Sequence, residues 1–366
     1  MREMGISADI THYASRITHH ASRIMPTSLS GGLRDHWFFG RKTSSFTLQW
    51  HLTNRCRFHC RHCYDRSERG ELTLAEALAV LAGLQAFGRR YRLLPRVSLS
   101  GGDPLQYPHF WELYAALAKA RMEVSILGNP VGPEILRQLL AVHPPRYYQV
   151  SLEGLREHND FIRGRGHYDQ VLAFLAAARP LGLETHVMLT LTRANLEQVI
   201  PLGSELRGLT ARLTFNRLSQ TGEGAALELP AKAEYADFLR RYLAAGHVNP
   251  VLGVKDNLFN IIRHRHGRPL WPGCTGFGCG AAFNFVALLP DGEVHACRKY
   301  PSLLGQIRDA SLETIYHSVA ARRYREGSQA CRNCALRRHC GGCPAVTAGQ
   351  GLRPLDDLDP HCFLED

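Results

Sequence analysis

Cys56, Cys60 and Cys63 fall within residues 54–64 at the spacing C-x3-C-x2-C. Three thiolates so close together suit an iron–sulfur cluster whose fourth iron has no protein ligand. An open iron binds a further molecule, so this spacing points to chemistry rather than to a structural or storage site. A zinc site or three buried thiols is the plain alternative. Zinc sites, however, usually pair C-x2-C units or add histidines at set spacings, and nothing near residues 56–63 completes such a set. The chain holds 11 cysteines, and those outside this loop all lie between Cys274 and Cys362. Subtracting the three leaves eight, enough for two fully ligated four-iron clusters. An odd total suits no secreted disulfide framework, and metal ligation in a reducing compartment accounts for it better.

Alternating strands and amphipathic helices must position these residues. Strands are predicted at 46–52, 96–99, 123–127, 147–152, 184–191 and 211–216. Helices are predicted at 73–87, 110–120, 133–142, 168–180, 195–206 and 231–245. Six strand–helix units argue a parallel sheet with right-handed crossovers. The predicted fold class is α/β, a partial (β/α)6 TIM-like barrel followed by a cysteine-rich iron–sulfur domain. The predicted divisions are an extension at 1–43, a barrel at 44–248 and the iron–sulfur domain at 249–366. In barrels the chemistry sits where strands end. The first strand leads straight into the cysteine loop, and the second ends in Ser100-Gly101-Gly102-Asp103-Pro104. Its two glycines let the backbone approach a ligand closely, and Asp103 offers a carboxylate to a cation. Residues 10–16 are nearly repeated at 17–23, but two copies build no solenoid and no chemistry is assigned to them.

From about Ser44 to its end the chain resembles the radical S-adenosylmethionine (SAM) enzymes. The resemblance rests on the cysteine loop, the Gly-Gly-Asp-Pro segment, and the run Val150-Ser151-Leu152-Glu153-Gly154 followed by Arg163. It implies that Cys56, Cys60 and Cys63 hold a 4Fe–4S cluster whose open iron SAM chelates through its amino and carboxylate groups. Reductive cleavage of SAM then gives methionine and a 5′-deoxyadenosyl radical, which takes hydrogen from the substrate. The implied SAM contacts are Tyr64, Ser100, Gly101, Gly102, Asp103, Pro104, Ser151, Glu153 and Arg163. Tyr64 would pack on adenine and Asp103 would bind the amino group. Ser151 and Glu153 would hold the ribose hydroxyls, and Arg163 would pair with the carboxylate. Asp103 and Glu153 stand where the family more often has Glu and Asp respectively. Residues 216–224 resemble the family's sixth-strand edge, near adenosine and substrate.

The C-terminal cysteines resemble the SPASM extension of the same family, which holds two auxiliary four-iron clusters. The interleaved ligation of that extension would assign Cys274, Cys279, Cys297 and Cys343 to the first. Cys331, Cys334, Cys340 and Cys362 would hold the second. The Cys340–Cys343 spacing is one residue shorter than the usual form, which leaves this division open. The cofactors implied are three 4Fe–4S clusters and SAM.

The extension is named for peptide and protein maturases, so modification of a ribosomally made peptide is the leading expectation. Short precursors containing Cys or selenocysteine are the narrower one. Oxidation of a sulfatase-like protein and radical chemistry on haem or tetrapyrrole side chains are the alternatives. Sulfatase maturases place an acidic base directly after the cysteine aligned with Cys297. Here that residue is Arg298, which cannot act as a general base at neutral pH. A non-enzymatic iron–sulfur carrier would explain the cysteines but not the SAM-contacting segments. The expected partners are a reduced flavodoxin- or ferredoxin-type electron donor and a separate leader-peptide-binding protein. Residues 1–43 are too short for the leader-binding module that some maturases carry. Net charge is +11, yet no nucleic-acid-binding pattern accompanies it. No apolar run reaches spanning length and no apolar signal core opens the chain, which predicts a cytoplasmic protein off the membrane. No catalytic acid or base is assigned, and His59 and His62 are expected to face solvent.

Overall fold

The strands that carry the motifs are β1 (Ser45–Thr53), β2 (Leu94–Gly101), β3 (Glu123–Leu127), β4 (Tyr148–Ser151), β5 (Thr185–Leu191) and β6 (Arg212–Arg217). In the computed structural model, residues 37–38, 41–272 and 278–364 are described. Cys274 and nearly all of the predicted extension at 1–43, including its repeat, lie outside them. β1 to β6 pair in chain order and all in parallel. Helices follow the first five strands: α1 (Leu74–Tyr91), α2 (Phe110–Lys119), α3 (Pro133–Val142), then α4 (Arg156–Arg163) with α5 (His167–Ala178), and α6 (Val199–Glu205). α7 (Lys232–Val248) and α8 (Phe259–Arg265) come after β6. This is the α/β barrel-like architecture expected, with all six strand C-termini feeding loops at one edge.

The sheet is wider than six strands. β7 (Phe285–Leu288) adds in parallel to the free side of β1, and β8 (Glu293–His295) and β9 (Leu303–Gln306) continue it antiparallel. The C-terminal segment therefore extends the barrel's own sheet. Phe285–Leu288 is a run of four buried residues, too short for periodicity to assign. It covers an edge strand that would otherwise present unpaired backbone.

Sequence chemistry explains the local choices. Phe46, Leu48, Trp50 and Leu52 alternate along β1 and are all nearly inaccessible, leaving Gln49 and His51 for the other face. α1 opens on a capping box between Thr73 and Glu76. α4 has no sequence signal, since Arg-Glu-His-Asn-Asp precedes its apolar pair; it buries only Asn159 and Ile162. Asp160 within it accepts the N–H groups of Gly166 and Tyr168 at 2.6 and 2.9 Å, which starts α5.

Candidate active site and auxiliary cysteines

The loop after β1 is held from three sides. Gly102 N donates to Thr53 O and Asp103 N to Arg55 O, each at 2.8 Å. Arg61 N donates to Ile162 O of α4 at 3.0 Å. Glu223 N, beyond β6, donates to Cys63 O at 2.9 Å. The sulfurs themselves attract donors. Asn129 Nδ2 lies 3.6 Å from Cys56 Sγ, and Arg163 Nη1 lies 3.5 Å from Cys60 Sγ. Burial raises the Cys63 thiol pKa, and the neighbouring Cys60 and Cys56 add to the shift. The three sulfurs thus share one neighbourhood.

Glu153, 1% exposed, is the centre of a buried polar knot. Its Oε1 accepts from Arg163 Nε at 3.0 Å and from Arg163 Nη2. His62 Nε2 stands 3.1 Å from the same oxygen, and Thr190 N donates to Oε2 at 2.7 Å. Burial works to raise the carboxyl pKa, but the charges of His62 and Arg163 overcome it and hold Glu153 well below the usual carboxylate range. Glu153 and Arg163, read from sequence as separate SAM contacts, therefore meet each other first. Arg163 then reaches Cys60, which ties the knot to the cysteine loop. His59 is exposed as expected, whereas His62 turns inward to Glu153.

The glycines after β2 serve the same loop. A Cβ on Gly101 would lie 2.2 Å from Thr53 O, and one on Gly102 2.4 Å from Arg55 O. They permit close approach, but to the backbone that leads into Cys56. Asp103 is buried and caps the turn Pro104–Gln106 by accepting from Leu105 N at 3.3 Å. Ser100 Oγ is buried with no partner among the described residues, and Ser151 is half-buried at the end of β4.

Tyr64 places its hydroxyl 3.4 Å from His51 Nε2, and Arg298 Nη1 donates to Gln49 Oε1 at 3.3 Å beside them. Burial, with the Arg298 charge next, lowers the His51 pKa from 6.5 to about 3. Burial, with Arg163 next, lowers His167 from 6.5 to about 4. Both rings take a proton in the unfolded chain at a higher pH than in the folded one. Their contribution to stability is complete above pH 6.5 and is lost as pH falls toward 4. The expected slope approaches about 1.4 kcal/mol per pH unit for each histidine. Urea unfolding at several pH values checks this, and His51→Gln should lower the slope by one histidine's share, about 1.4 kcal/mol per pH unit at most. An unchanged slope would refute the assignment.

In the C-terminal region Cys331, Cys334, Cys340 and Cys362 are neighbours. Burial raises the Cys331 thiol pKa to about 11, with Cys334 and Cys362 adding to it. Cys340 is raised likewise, mainly by burial and in part by Cys362. Cys343 is raised to about 11 by burial, and Cys297 adds to the shift. Tyr300 lies near both Cys297 and Cys279. A cavity opens among Cys279, Tyr324, Cys331, Cys340 and Pro344. No group of three or more His, Cys, Asp or Glu side chains among the described residues is arranged to hold a single metal ion. The cysteines are gathered more loosely, as neighbours that sense one another's charge.

Residues 217–224 join the two regions. Gly222, at φ +57°, packs against Cys63 O and Tyr64 O, where a Cβ would lie 2.6 and 2.7 Å away. Ser219 Oγ donates to Ala345 O at 2.7 Å, and Thr221 Oγ1 to Lys299 O at 2.9 Å. A profile of the radical SAM superfamily matches residues 50–203, and one of the iron–sulfur cluster-binding SPASM domain matches residues 279–343. The mycofactocin maturase MftC of Mycobacterium tuberculosis is 31% identical over 334 residues, which span 86% of this chain and 82% of that protein. The chain belongs to the radical SAM superfamily.

An AdoMet-dependent heme synthase of Methanosarcina barkeri is 27% identical to this radical SAM enzyme, over 86% of its chain and 95% of the synthase. SuiB of Streptococcus suis, solved with its precursor peptide SuiA, has the same fold at 16% identity. Its TM-score is 0.69, over 88% of this chain and 77% of SuiB. Radical SAM enzymes with a SPASM domain use a 4Fe–4S cluster, SAM and auxiliary iron–sulfur clusters. The residues present fit those groups. Two of the loop sulfurs meet side-chain N–H donors, Ser100 Oγ is buried with no partner among the described residues, and a cavity is lined by C-terminal sulfurs. Asn129 and the inward turn of His62 escaped the sequence reading. For Asn129 a signal existed: Gly128-Asn129-Pro130 is a turn sequence directly after a barrel strand.

Proposed function

We propose that this radical SAM enzyme modifies a ribosomally made peptide by taking hydrogen from one of its C–H bonds. The observation that carries the reading is the 31% identity to a mycofactocin maturase across most of both chains. When bound, the open-iron cluster and SAM supply a 5′-deoxyadenosyl radical for that step. The chain's own residues hold and orient the reactants. Cys56, Cys60 and Cys63 are the proposed ligands of the SAM cluster, and Tyr64, Ser100 to Pro104, Ser151, Glu153 and Arg163 form its surroundings. Cys274, Cys279, Cys297 and Cys343 are proposed for one auxiliary cluster, and Cys331, Cys334, Cys340 and Cys362 for the other. The charge relations of Cys331 with Cys334 and Cys362, and of Cys343 with Cys297, support that division, whereas the cavity shared by Cys279, Cys331 and Cys340 crosses it. A flavodoxin- or ferredoxin-type donor and a separate leader-binding protein complete the proposed system, in the cytoplasm. Among the described residues no helix is long and apolar enough to cross a membrane.

Arg298 counts against sulfatase-type oxidation. Its guanidinium reaches the Gln49 face of β1, beside His51 and Tyr64, where it supplies a cation and no base. Tetrapyrrole chemistry is the second reading, favoured by the likeness to a heme synthase. Anaerobic reconstitution tests the proposal. About twelve irons are expected, falling to about eight in a Cys56/Cys60/Cys63→Ala variant with loss of 5′-deoxyadenosine formation. A mass change on a peptide encoded beside the gene supports the first reading. Conversion of a tetrapyrrole with the peptide untouched would replace it.

A further inference from the structure

Arg217, the last residue of β6, is 2% exposed and carries both arms of its fork into the C-terminal region. Nη1 and Nη2 donate to Oδ1 and Oδ2 of Asp359 at 2.7 and 2.8 Å, and Nε donates to Asp256 Oδ2 at 2.9 Å. Asp359, 4% exposed, uses Oδ2 again to accept the Cys343 N–H at 2.8 Å. Its backbone carbonyl accepts the Cys362 N–H at 2.9 Å. Gly342, at φ +64°, gives the carboxylate its room, because a Cβ there would stand 2.7 Å from Asp359 Cβ. One aspartate therefore grips the backbone beside a cysteine of each proposed auxiliary set.

The charge around it does not cancel. One guanidinium faces two carboxylates. His361 adds no positive charge, because its Nε2–H must donate to Pro230 O at 2.8 Å and its Nδ1 faces Arg217 Nη1 at 3.3 Å, which requires a lone pair there. A buried net negative charge is expensive in a low-dielectric interior. Here it lies beside thiols that become anionic on binding iron. Reduction potentials of iron–sulfur clusters follow local charge and burial.

We propose that Asp359 and Arg217 are a positioning pair shared by both auxiliary clusters, setting their reduction potentials together and tying both to the end of the sixth barrel strand. The inference rests on the reading of the C-terminal cysteines as two clusters. Asp359→Asn keeps the shape and removes a negative charge, so the potentials of both auxiliary clusters move upward with iron content retained. Arg217→Gln removes the opposing cation and moves both downward. Potentiometric EPR titration of the reconstituted full-length enzyme, with iron counted in each sample, reads both effects. Unchanged potentials at full iron content, or a shift confined to one cluster, would overturn the proposal. Where one variant loses auxiliary iron, the sign in the other decides. Loss in both that Arg217→Lys does not repair would also overturn it, since the pair would then only hold the fold. Wild-type protein with about four irons would instead defeat the two-cluster reading itself.

Discussion

Glu153→Gln is expected to unfold the active-site end of the barrel more readily and to weaken SAM binding together. Arg163 has 13% of its side chain exposed, and Glu153 is its only carboxylate among the described residues. Removing that charge leaves a buried guanidinium uncompensated, which typically costs about 3–5 kcal/mol. The amide also presents N–H to a site that already receives Arg163, His62 and the Thr190 N–H, so its own donors have nowhere to go. Because Arg163 continues to Cys60 Sγ at 3.5 Å, the loosened guanidinium disturbs the cysteine loop as well. SAM affinity should fall by about tenfold or more, the equivalent of about 1.4 kcal/mol. Urea unfolding and anaerobic equilibrium dialysis with SAM read the two effects. Glu153→Asp retains the charge and should recover part of both. Full stability and wild-type SAM binding in the glutamine variant would show that the knot is dispensable.

Gly102→Ala should empty the SAM cluster while sparing the others. The added methyl would lie 2.4 Å from Arg55 O and 2.6 Å from Asn54 O, both backbone atoms leading into Cys56. Backbone cannot rotate away as a side chain does, so the loop must shift and its sulfurs lose their common geometry. The cysteines proposed for the auxiliary clusters lie in other segments and should keep their iron. About eight irons of about twelve would remain, with 5′-deoxyadenosine formation lost. Gly70→Ala is the control, since nothing lies within 4 Å of a Cβ there. Full iron content in the Gly102 variant would mean that the loop tolerates displacement, and the close approach would then carry no functional weight.

Much of this site was legible because it is local. The cysteine loop, the Gly-Gly-Asp-Pro turn and the strand that ends in Ser151 each lie within a few residues of sequence. Strand periodicity alone places all of them at one edge of the sheet. α4 was invisible because a helix whose buried face is one asparagine and one isoleucine shows no apolar stripe. The strand Phe285–Leu288 was missed for the opposite reason, being uniformly apolar and only four residues long. Its place in the barrel sheet depends on an open edge of β1 that the sequence does not display.

The sequence by itself pointed to the chemistry: three thiols at a spacing that suits a cluster with an open iron, and segments around them that lie at strand ends. Chain spacing of a few residues is enough for that, because covalent geometry keeps such residues within reach of one cluster. Only the tertiary structure decided what holds those groups. Glu153 spends itself on Arg163, His62 and Thr190, Gly101 and Gly102 yield to Thr53 and Arg55, and Arg217 finds Asp359 142 residues away. Burial selects such partners, since a charge removed from water must meet its opposite wherever in the chain packing brings one.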